Sequence, residues 1–353
     1  MLDGLFDLLD QGISTWGGWQ YIVFIFFLVL GIYFLVKFCD IFVDSASAIA
    51  KKLHISPLII GLTIVAMGTS CPELAVSVSN AISALKDGTT AEIAIGNVVG
   101  SNICNILLVL GFSCIFTPIV VKKSICKREY PFLLGITALL VILGCFFSFG
   151  GYPFGITRWE GIIFVLFIPL YIGFLIYNAK KHPEDQDEVE EINDMPMWKA
   201  IILTIIGAAG IAVGGEFVVY GAQHIAVNAA TSIGLDRAMV EALVGLTIVA
   251  VGTSLPELVT SIVAAKKGQN ELALGNVIGS NIFNTIFVLG ISAVISPLGT
   301  TNGQLFIELL VMLASTIGVF IVAKTGKIGK KTGICLLATY ACFVVYLIIR
   351  TIL

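Results

Sequence analysis

Two glutamates each follow a proline inside a strongly apolar segment, and no other residues of the chain are better placed to do chemistry. Glu73 follows Pro72, and Glu257 follows Pro256. A carboxylate within an apolar segment of membrane length is costly, so such residues mark sites that bind ions or protons. We interpret the pair as one cation site.

Both glutamates lie in a motif that the chain contains twice. The first copy reads GLTIVAMGTSCPEL from Gly61 and GNVVGSNICNILLVLG from Gly96. The second reads GLTIVAVGTSLPEL from Gly245 and GNVIGSNIFNTIFVLG from Gly275. The site is therefore expected to be built from two equivalent sets of residues.

The prolines predict a break in the helix just before each glutamate. A proline removes one amide donor and clashes with the carbonyl four residues back, so Pro72 frees the carbonyl of Gly68 and Pro256 that of Gly252. Freed carbonyls, Thr and Ser hydroxyls and a carboxylate are the oxygen ligands that Na⁺ and Ca²⁺ prefer. Without a metal ion, the two carboxylates would share a proton or take up Na⁺, because like charges repel strongly in a low dielectric.

The second piece of the motif places further oxygen atoms on one helix face. Ser101 and Asn105 are four residues apart and share a face, and Ser280 and Asn284 repeat the arrangement. We expect these four side chains to contribute ligands. The glycines that precede them are expected to let helices approach closely.

The composition places the chain in a membrane. It has 353 residues, of which 58% are hydrophobic and 12% charged, with a mean hydropathy of +1.01. Soluble domains carry about 25% charged residues. The apolar runs are of about the 20 residues that cross a bilayer, so lipid is an expected partner. Nothing indicates nucleic acid or an obligatory protein partner.

We predict an all-α membrane protein of ten transmembrane helices. The predicted spans are Tyr21–Ala50, Pro57–Leu85, Ile93–Val120, Pro131–Phe149, Gly161–Tyr177, Lys199–Ala226, Met239–Ala265, Leu272–Ile295, Gln304–Ala323 and Gly333–Thr351. Most of the 20 Lys and Arg residues fall in the odd-numbered loops. By the positive-inside rule these loops are cytoplasmic and both termini lie outside, so the protein is predicted to be a multi-pass protein of the cell membrane.

The two motif copies then lie in the membrane in opposite directions. Residues 1–179 form a first half of five spans, residues 199–353 a second half, and residues 180–198 an acidic cytoplasmic linker. A regulatory calcium patch in this linker is the alternative to a plain solvated connection. Inverted repeats with a central binding site are typical of secondary transporters. The chain contains no nucleotide-binding motif of the GxxxxGK[ST] type.

Other ionisable residues within the spans leave two interpretations open. Asp40, Asp44 and Glu216 either line an ion path or face water at the end of a long helix. His224, late in the sixth span, is expected to be a hydrogen-bonded histidine near the membrane interface, with pH sensing as the alternative. His54 is placed at a cytoplasmic helix end and His182 in the linker.

At these motifs the chain resembles the sodium/calcium exchanger family, which lies within the cation/calcium exchanger superfamily. It looks like a compact member of the prokaryotic type. The family's repeats read GTS-x-PE followed by GN-x-x-GSN-x-x-[ND], and both copies here match. The resemblance implies that the second, third, seventh and eighth spans form a core across which the first and sixth slide.

The resemblance also implies a ligand set, residue by residue. Glu73 and Glu257 would be ligands shared by Ca²⁺ and Na⁺. The remaining ligands would be the carbonyls of Thr69, Thr253, Ala66 and Ala250, the hydroxyls of Ser70 and Ser254, and the side chains of Ser101, Ser280, Asn105 and Asn284. Many relatives carry Asp at the last position, where this chain has Asn284. The number of Na⁺ ions and any K⁺ involvement therefore stay open.

We expect an antiporter that exchanges Na⁺ for Ca²⁺ by alternating access, with no cofactor besides the transported ions. The nearest alternative is an antiporter of Ca²⁺ or another divalent ion against H⁺, or a K⁺-dependent one. An intramembrane serine hydrolase would need a base near its nucleophile, and neither motif contains His or Lys. A channel is the third alternative, and the paired glutamates in inverted repeats favour alternating access. We therefore expect no enzyme activity.

Overall fold

The computed structural model describes residues 19–53, 55–146, 154–181, 195–232, 250–300 and 304–352, with residues 4, 6 and 9. The helices are α1 Gln20–Leu53, α2 Pro57–Thr69, α3 Cys71–Asp87, α4 Glu92–Phe116, α5 Lys123–Lys127, α6 Glu129–Phe146, α7 Arg158–Lys181, α8 Met197–Ser232, α9 Ala250–Thr253, α10 Leu255–Lys266, α11 Asn270–Ile295, α12 Gln304–Ala323 and α13 Lys330–Ile352. The strands are β1 Ile119–Val120, β2 Phe154–Ile156, β3 Leu298–Thr300 and β4 Lys327–Ile328.

In the described part of the chain, eight helices are long and apolar enough to cross a membrane, and α2 with α3 make a ninth if this bent pair counts as one span. The predicted seventh span begins in residues 233–249, outside the described residues, and α9 and α10 are its described part. The count of ten and the division into two five-helix halves therefore stay predictions. Several helices are longer than predicted; α8, for example, runs on past Ala226 to Ser232.

The fold is all-helical apart from four short strands in the described loops. β1 pairs with β4 and β2 with β3, both antiparallel. Each strand lies in a loop, where extended backbone gains hydrogen bonds that no helix supplies. The pairs join the third loop to the ninth and the fourth to the eighth. Loops of equal parity thus meet, as a chain that crosses the membrane up and down requires; which side is cytoplasmic stays a prediction.

Helices α1 and α8 form a closely packed pair. A side chain at Gly214 would meet the Leu35 amide at 2.9 Å, and one at Gly221 would meet the Phe24 carbonyl at 2.5 Å. The absence of side chains there lets the two backbones touch. The second half of α1 and the first half of α8 bury their apolar residues in one cluster. This cluster is separate from the main core around α4, α6, α7, α11 and α12.

The predicted breaks before the glutamates are present. Helices α2 and α3 meet at Ser70 with a bend of 49°. Ser70 has φ −86° and ψ 10°, and its repeat mate Ser254 has φ −89° and ψ 3°. The proline two residues later lacks the amide that would continue the helix. Both α4 and α11 also widen into a π-helical turn, Asn105–Val109 and Asn284–Leu289.

Candidate functional site

Both glutamates lie in the first turn of the helix that follows a break. Glu73 begins α3 and Glu257 begins α10, and each has an exposed fraction of 0%. The Ser70 hydroxyl of the first motif copy hydrogen-bonds to Glu257 of the second. The side chains of the other predicted ligands Thr69, Ser70, Ser101, Asn105, Thr253, Ser254, Ser280 and Asn284 are all buried too. The two motif copies therefore meet at one polar centre inside the helix bundle.

On one side of this centre, one oxygen of the Glu257 carboxylate accepts two hydrogen bonds, while its other oxygen, Oε2, has no partner among the described residues. The Ser70 hydroxyl donates to Glu257 Oε1 at 2.9 Å, and the Ser280 hydroxyl to the same oxygen at 3.4 Å. Thr69 Oγ1 lies 3.4 Å from Ser280 Oγ. We call Thr69, Ser70, Glu257 and Ser280 the sealed half. It combines residues from both motif copies.

On the other side, three members of the equivalent set, Glu73, Ser101 and Ser254, have side-chain oxygens without a hydrogen-bond partner among the described residues. No hydrogen bond of ordinary geometry from the described residues reaches either oxygen of the Glu73 carboxylate. The hydroxyls of Ser101 and Ser254 are likewise buried without a partner there. We call Thr253, Ser254, Glu73 and Ser101 the open half. Buried polar atoms without partners mark a place where a bound ion would complete the hydrogen-bonding or ligand shell.

Two of the four predicted carbonyl ligands belong to Ala66 and Ala250. The Ala66 carbonyl accepts from the Ser70 amide at 3.0 Å, as in an ordinary helical turn. In the second repeat the Ser254 amide donates to the Val251 carbonyl at 3.1 Å. The side chain of Ala250 lies outside the described residues.

The two asparagines of the predicted ligand set are buried beside these halves. Asn105 has neither amide atom hydrogen-bonded within the described residues. Asn284 donates to Asn102 Oδ1 at 3.3 Å and leaves its own oxygen unpartnered in the described part of the chain. Asn102 and Asn281 exchange bonds, since each side-chain amide donates to the other's backbone carbonyl, at 3.5 Å and 3.1 Å. The sequence argument did not single out this crossing pair.

The donor set suits a hard cation. Two carboxylates, several hydroxyls, two amides and backbone carbonyls are all oxygen donors. Among the described residues, no group of three or more His, Cys, Asp or Glu side chains is arranged to hold a metal. Neutral oxygens would therefore have to complete any shell around the two glutamates.

A cavity of about 480 Å³ lies between α3 and α8. It is lined by Val76, Glu216 and Tyr220. Thr253 of the open half and Pro256 line it as well. Glu216 lines this cavity, and its role in an ion path stays a prediction.

Ion pairs link the end of α10 to α1. Lys267, at the end of α10, lies 3.2 Å from Asp40 and 2.7 Å from Asp44 of α1. Ser47 donates to Gln269 beside them at 2.8 Å. Asp40 and Asp44 are nearly half-exposed and pair with Lys267, and their place in an ion path or at a watery helix end stays a prediction.

The histidines were placed by sequence at helix ends and in the linker. His224 Nδ1 lies 2.9 Å from the Tyr220 carbonyl, and its ring stacks on Phe24. The expectation of a hydrogen-bonded histidine is confirmed. His54 and His182 lie outside the described residues.

Two further asparagines escaped the sequence argument. Asn97 donates to the Glu73 carbonyl at 3.2 Å, and Asn276 to the Glu257 carbonyl at 3.3 Å. The signal was available, because Asn97 precedes Ser101 by four residues and so continues the same helix face by one turn.

Comparison with known proteins gives a consistent result. A family model described as sodium/calcium exchanger protein matches residues 23–177 and 199–349. Sodium/calcium exchanger MaX1 of Methanosarcina acetivorans is 34% identical over 353 residues, which cover 91% of this chain and 97% of that protein. Sodium/potassium/calcium exchanger 4 of Mus musculus is 31% identical over 144 residues, covering 40% of this chain and 21% of its own length.

A solved structure agrees with these matches. A structure of the sodium-calcium exchanger NCX_Mj soaked with Na⁺ and Sr²⁺ is 32% identical and superposes with a TM-score of 0.74, covering 92% of this chain and 98% of its own. The chain therefore belongs to the sodium/calcium exchanger family and is a multi-pass membrane protein.

Proposed function

We propose that this protein is an antiporter that exchanges Na⁺ for Ca²⁺ across the membrane by alternating access. The observation that carries the proposal is the meeting of Glu73 and Glu257, two fully buried carboxylates delivered by two copies of one motif. Family membership supports the same class of transport. The predicted absence of enzyme activity belongs to this proposal.

The two ions would use overlapping parts of the donor set. Ca²⁺ takes six to eight oxygens, with carboxylates as the strongest, so Glu73 and Glu257 would bind it from both sides. Na⁺ would bind the hydroxyls, amides and carbonyls around them, including Ala66 and Ala250. The carboxylates then serve both ions, which makes their binding mutually exclusive.

Exchange rather than leakage follows from the charge of the empty site. Two carboxylates buried in a low dielectric repel each other, and moving them through the membrane uncompensated is costly. The empty protein would therefore interconvert slowly between its two states. A bound Ca²⁺ or bound Na⁺ ions remove that cost, so one ion species must replace the other before the site returns.

The cavity and the ion pair would define one end of the cycle. The site would be reached from the side on which α3 ends, while Lys267 would close the other mouth. By the positive-inside rule the open side is extracellular. In the opposite state the inverted repeats would exchange roles as α1 and α8 slide across the core.

Na⁺ is favoured over H⁺ as the coupling ion by the neutral oxygens. A proton needs only the carboxylates, whereas hydroxyl and amide oxygens at Ser101, Ser254 and Asn105 offer a shell that only a metal ion requires. The alternatives remain an antiporter of Ca²⁺ or another divalent ion against H⁺, and a K⁺-dependent exchanger.

Flux in proteoliposomes decides between these. Purified protein would be reconstituted, and Ca²⁺ uptake measured under Na⁺, K⁺ or H⁺ gradients imposed one at a time. We expect uptake to require an outward Na⁺ gradient and to stop when Na⁺ is replaced by choline. Uptake driven by a pH gradient alone, and indifferent to Na⁺, would overturn Na⁺ coupling.

A further inference from the structure

Beside each half of the site lies an asparagine that contacts the backbone of the glutamate and not its carboxylate. Asn97 lies one helical turn before Ser101 on α4, and Asn276 one turn before Ser280 on α11. These residues therefore occupy the helix face that carries the proposed ligands. Asn276 is fully buried and Asn97 half-buried.

The two asparagines make the same pair of bonds. Asn97 Nδ2 donates to the Glu73 carbonyl at 3.2 Å and to Ser77 Oγ at 3.0 Å. In the other repeat, Asn276 Nδ2 donates to the Glu257 carbonyl at 3.3 Å and to Ser261 Oγ at 2.9 Å. The two acceptors are four residues apart in each case, so one amide group grips two successive turns of a single helix face.

Such a grip fixes the rotation of the helix about its own axis. A side chain reaches about 5–6 Å from a helix axis, so a roll of about 20° would move a carboxylate by about 2 Å. Calcium ligands lie at about 2.3–2.6 Å and tolerate only a few tenths of an ångström of error. Holding the first turn of α3 or α10 in place therefore determines whether its glutamate can reach an ion.

Asn276 makes one more contact, and it crosses between the repeats. The Thr69 hydroxyl, at the end of α2, can donate either to Asn276 Oδ1 or to the Val65 carbonyl, both at 3.1 Å. When it donates to Asn276, the end of α2 is linked through one side chain to the start of α10. Asn276 thus joins Thr69 to the backbone that presents Glu257.

We propose that Asn97 and Asn276 are positioning residues, which set the aim of Glu73 and Glu257, and that Asn276 also couples the two repeats. This inference rests on the proposed function, because it concerns the same ion site. The clamp acts through the glutamates, so its loss should change how well the site fits an ion more than how fast a bound ion is moved.

The test compares Asn276→Ala and Asn97→Ala with Asn178→Ala, a matched control near the end of α7. Ca²⁺ and Sr²⁺ uptake would be measured in proteoliposomes, each over a concentration series, to give KM and maximal rate. We expect Asn276→Ala to raise the KM for Ca²⁺ by about tenfold or more and to change the ratio of the Ca²⁺ and Sr²⁺ KM values. Asn97→Ala should raise it less, and Asn178→Ala should leave it unchanged.

Ser261→Ala keeps the proposal testable if Asn276→Ala does not fold. It removes one of the two acceptors of the clamp and should raise the Ca²⁺ KM in the same direction by a smaller factor. The proposal is overturned if the KM values and their Ca²⁺/Sr²⁺ ratio stay within twofold of wild type in these variants, or if Asn178→Ala shifts them as much. A purely structural role would reduce folded protein without moving the ratio.

Equilibrium binding separates this inference from the proposed function. Binding of radioactive Ca²⁺ to purified wild type and variants needs no transport. If wild type binds Ca²⁺ but shows no Na⁺-driven flux, the proposed function fails, and the binding constants of the variants still decide the clamp. If wild type binds no divalent cation, both proposals are wrong.

Discussion

The sealed half and the open half consist of the same residue types, Thr, Ser, Glu and Ser, yet their environments differ. In the sealed half both serines bond to Glu257; in the open half neither reaches Glu73 with ordinary geometry. Thr253 of the open half lines the cavity. A duplicated motif has thus produced two unequal environments within one molecule, as the proposed alternating access would require.

Helix packing follows the same division. A side chain at Gly275 would meet the Leu58 carbonyl at 2.8 Å, and one at Gly279 would meet the Leu62 Cα at 2.7 Å, so α2 lies directly on α11. The repeat mates Gly96 and Gly100 have no neighbouring atom within 4 Å of the position of an added side chain, so the expectation of close packing is wrong for both in this structure. The counterpart of Gly61 in the second repeat is Gly245, which lies outside the described residues.

The test with the largest expected effect asks whether the sealed half and the open half bind one shared ion. Glu73→Gln and Glu257→Gln should each reduce Ca²⁺ transport by at least about 100-fold, since even partners of metal ligands contribute about 10–100-fold. Flux in proteoliposomes measures this. Glu160→Gln is the control, because that buried carboxylate caps its own helix through Thr157. Normal Ca²⁺ transport by either glutamate variant would show that the two halves do not share one ion site.

A second test asks whether the unequal hydrogen bonds hold the protein in this state. Ser70→Ala removes a bond to a carboxylate, which contributes about 1.5–3 kcal/mol, so the state with the open cavity should lose population by about tenfold or more. Ser254→Ala removes no such bond here. The readout is the rate at which an impermeant thiol reagent labels Val76→Cys in a background without native cysteines.

We expect slower labelling with Ser70→Ala and unchanged or faster labelling with Ser254→Ala. Equal effects of the two substitutions would mean that the difference between the halves has no energetic weight. Labelling in the presence of Na⁺ and of Ca²⁺ would show which ion changes the balance.

The two asparagines offer a smaller contrast. Asn284→Asp loses the bond to Asn102 Oδ1 and sets an oxygen against it, whereas Asn105→Asp breaks no hydrogen bond among the described residues. The first variant should therefore be less stable than the second by about 1 kcal/mol. Thermal unfolding of the detergent-solubilised proteins measures the difference. A more stable Asn284→Asp would show that the amide is not needed as a donor.

The smallest effect concerns the mouth opposite the cavity. The pairs of Lys267 with Asp40 and Asp44 are partly exposed and contribute about 0.2–1 kcal/mol. Lys267→Gln should slow labelling of Val76→Cys by less than about fivefold, and salt should abolish the difference. Lys266→Gln, which removes a charge lying over the Phe116 ring, is the matched control. An equal change of the labelling rate in Lys267→Gln and Lys266→Gln would show that the ion pairs of Lys267 do not close this mouth.

Part of this arrangement could be predicted from the sequence. Proline chemistry predicted the breaks at Ser70 and Ser254, and four-residue spacing predicted which faces of α4 and α11 meet the glutamates. The difference between the halves could not be predicted, because two nearly identical peptides contain no information about which of two equivalent states is occupied. Asn97 and Asn276 were missed because their role depends on a backbone carbonyl, which has no sequence signal of its own.

The strand pairs have a consequence for how the molecule could be made. β1 and β2 come from residues before the linker, and their partners β4 and β3 from residues after it, so neither part of the chain can complete its loops alone. Two separately synthesised polypeptides, residues 1–181 and 195–353, should therefore find each other in the membrane and restore transport when co-expressed. A gene cut at this point would still encode a working carrier.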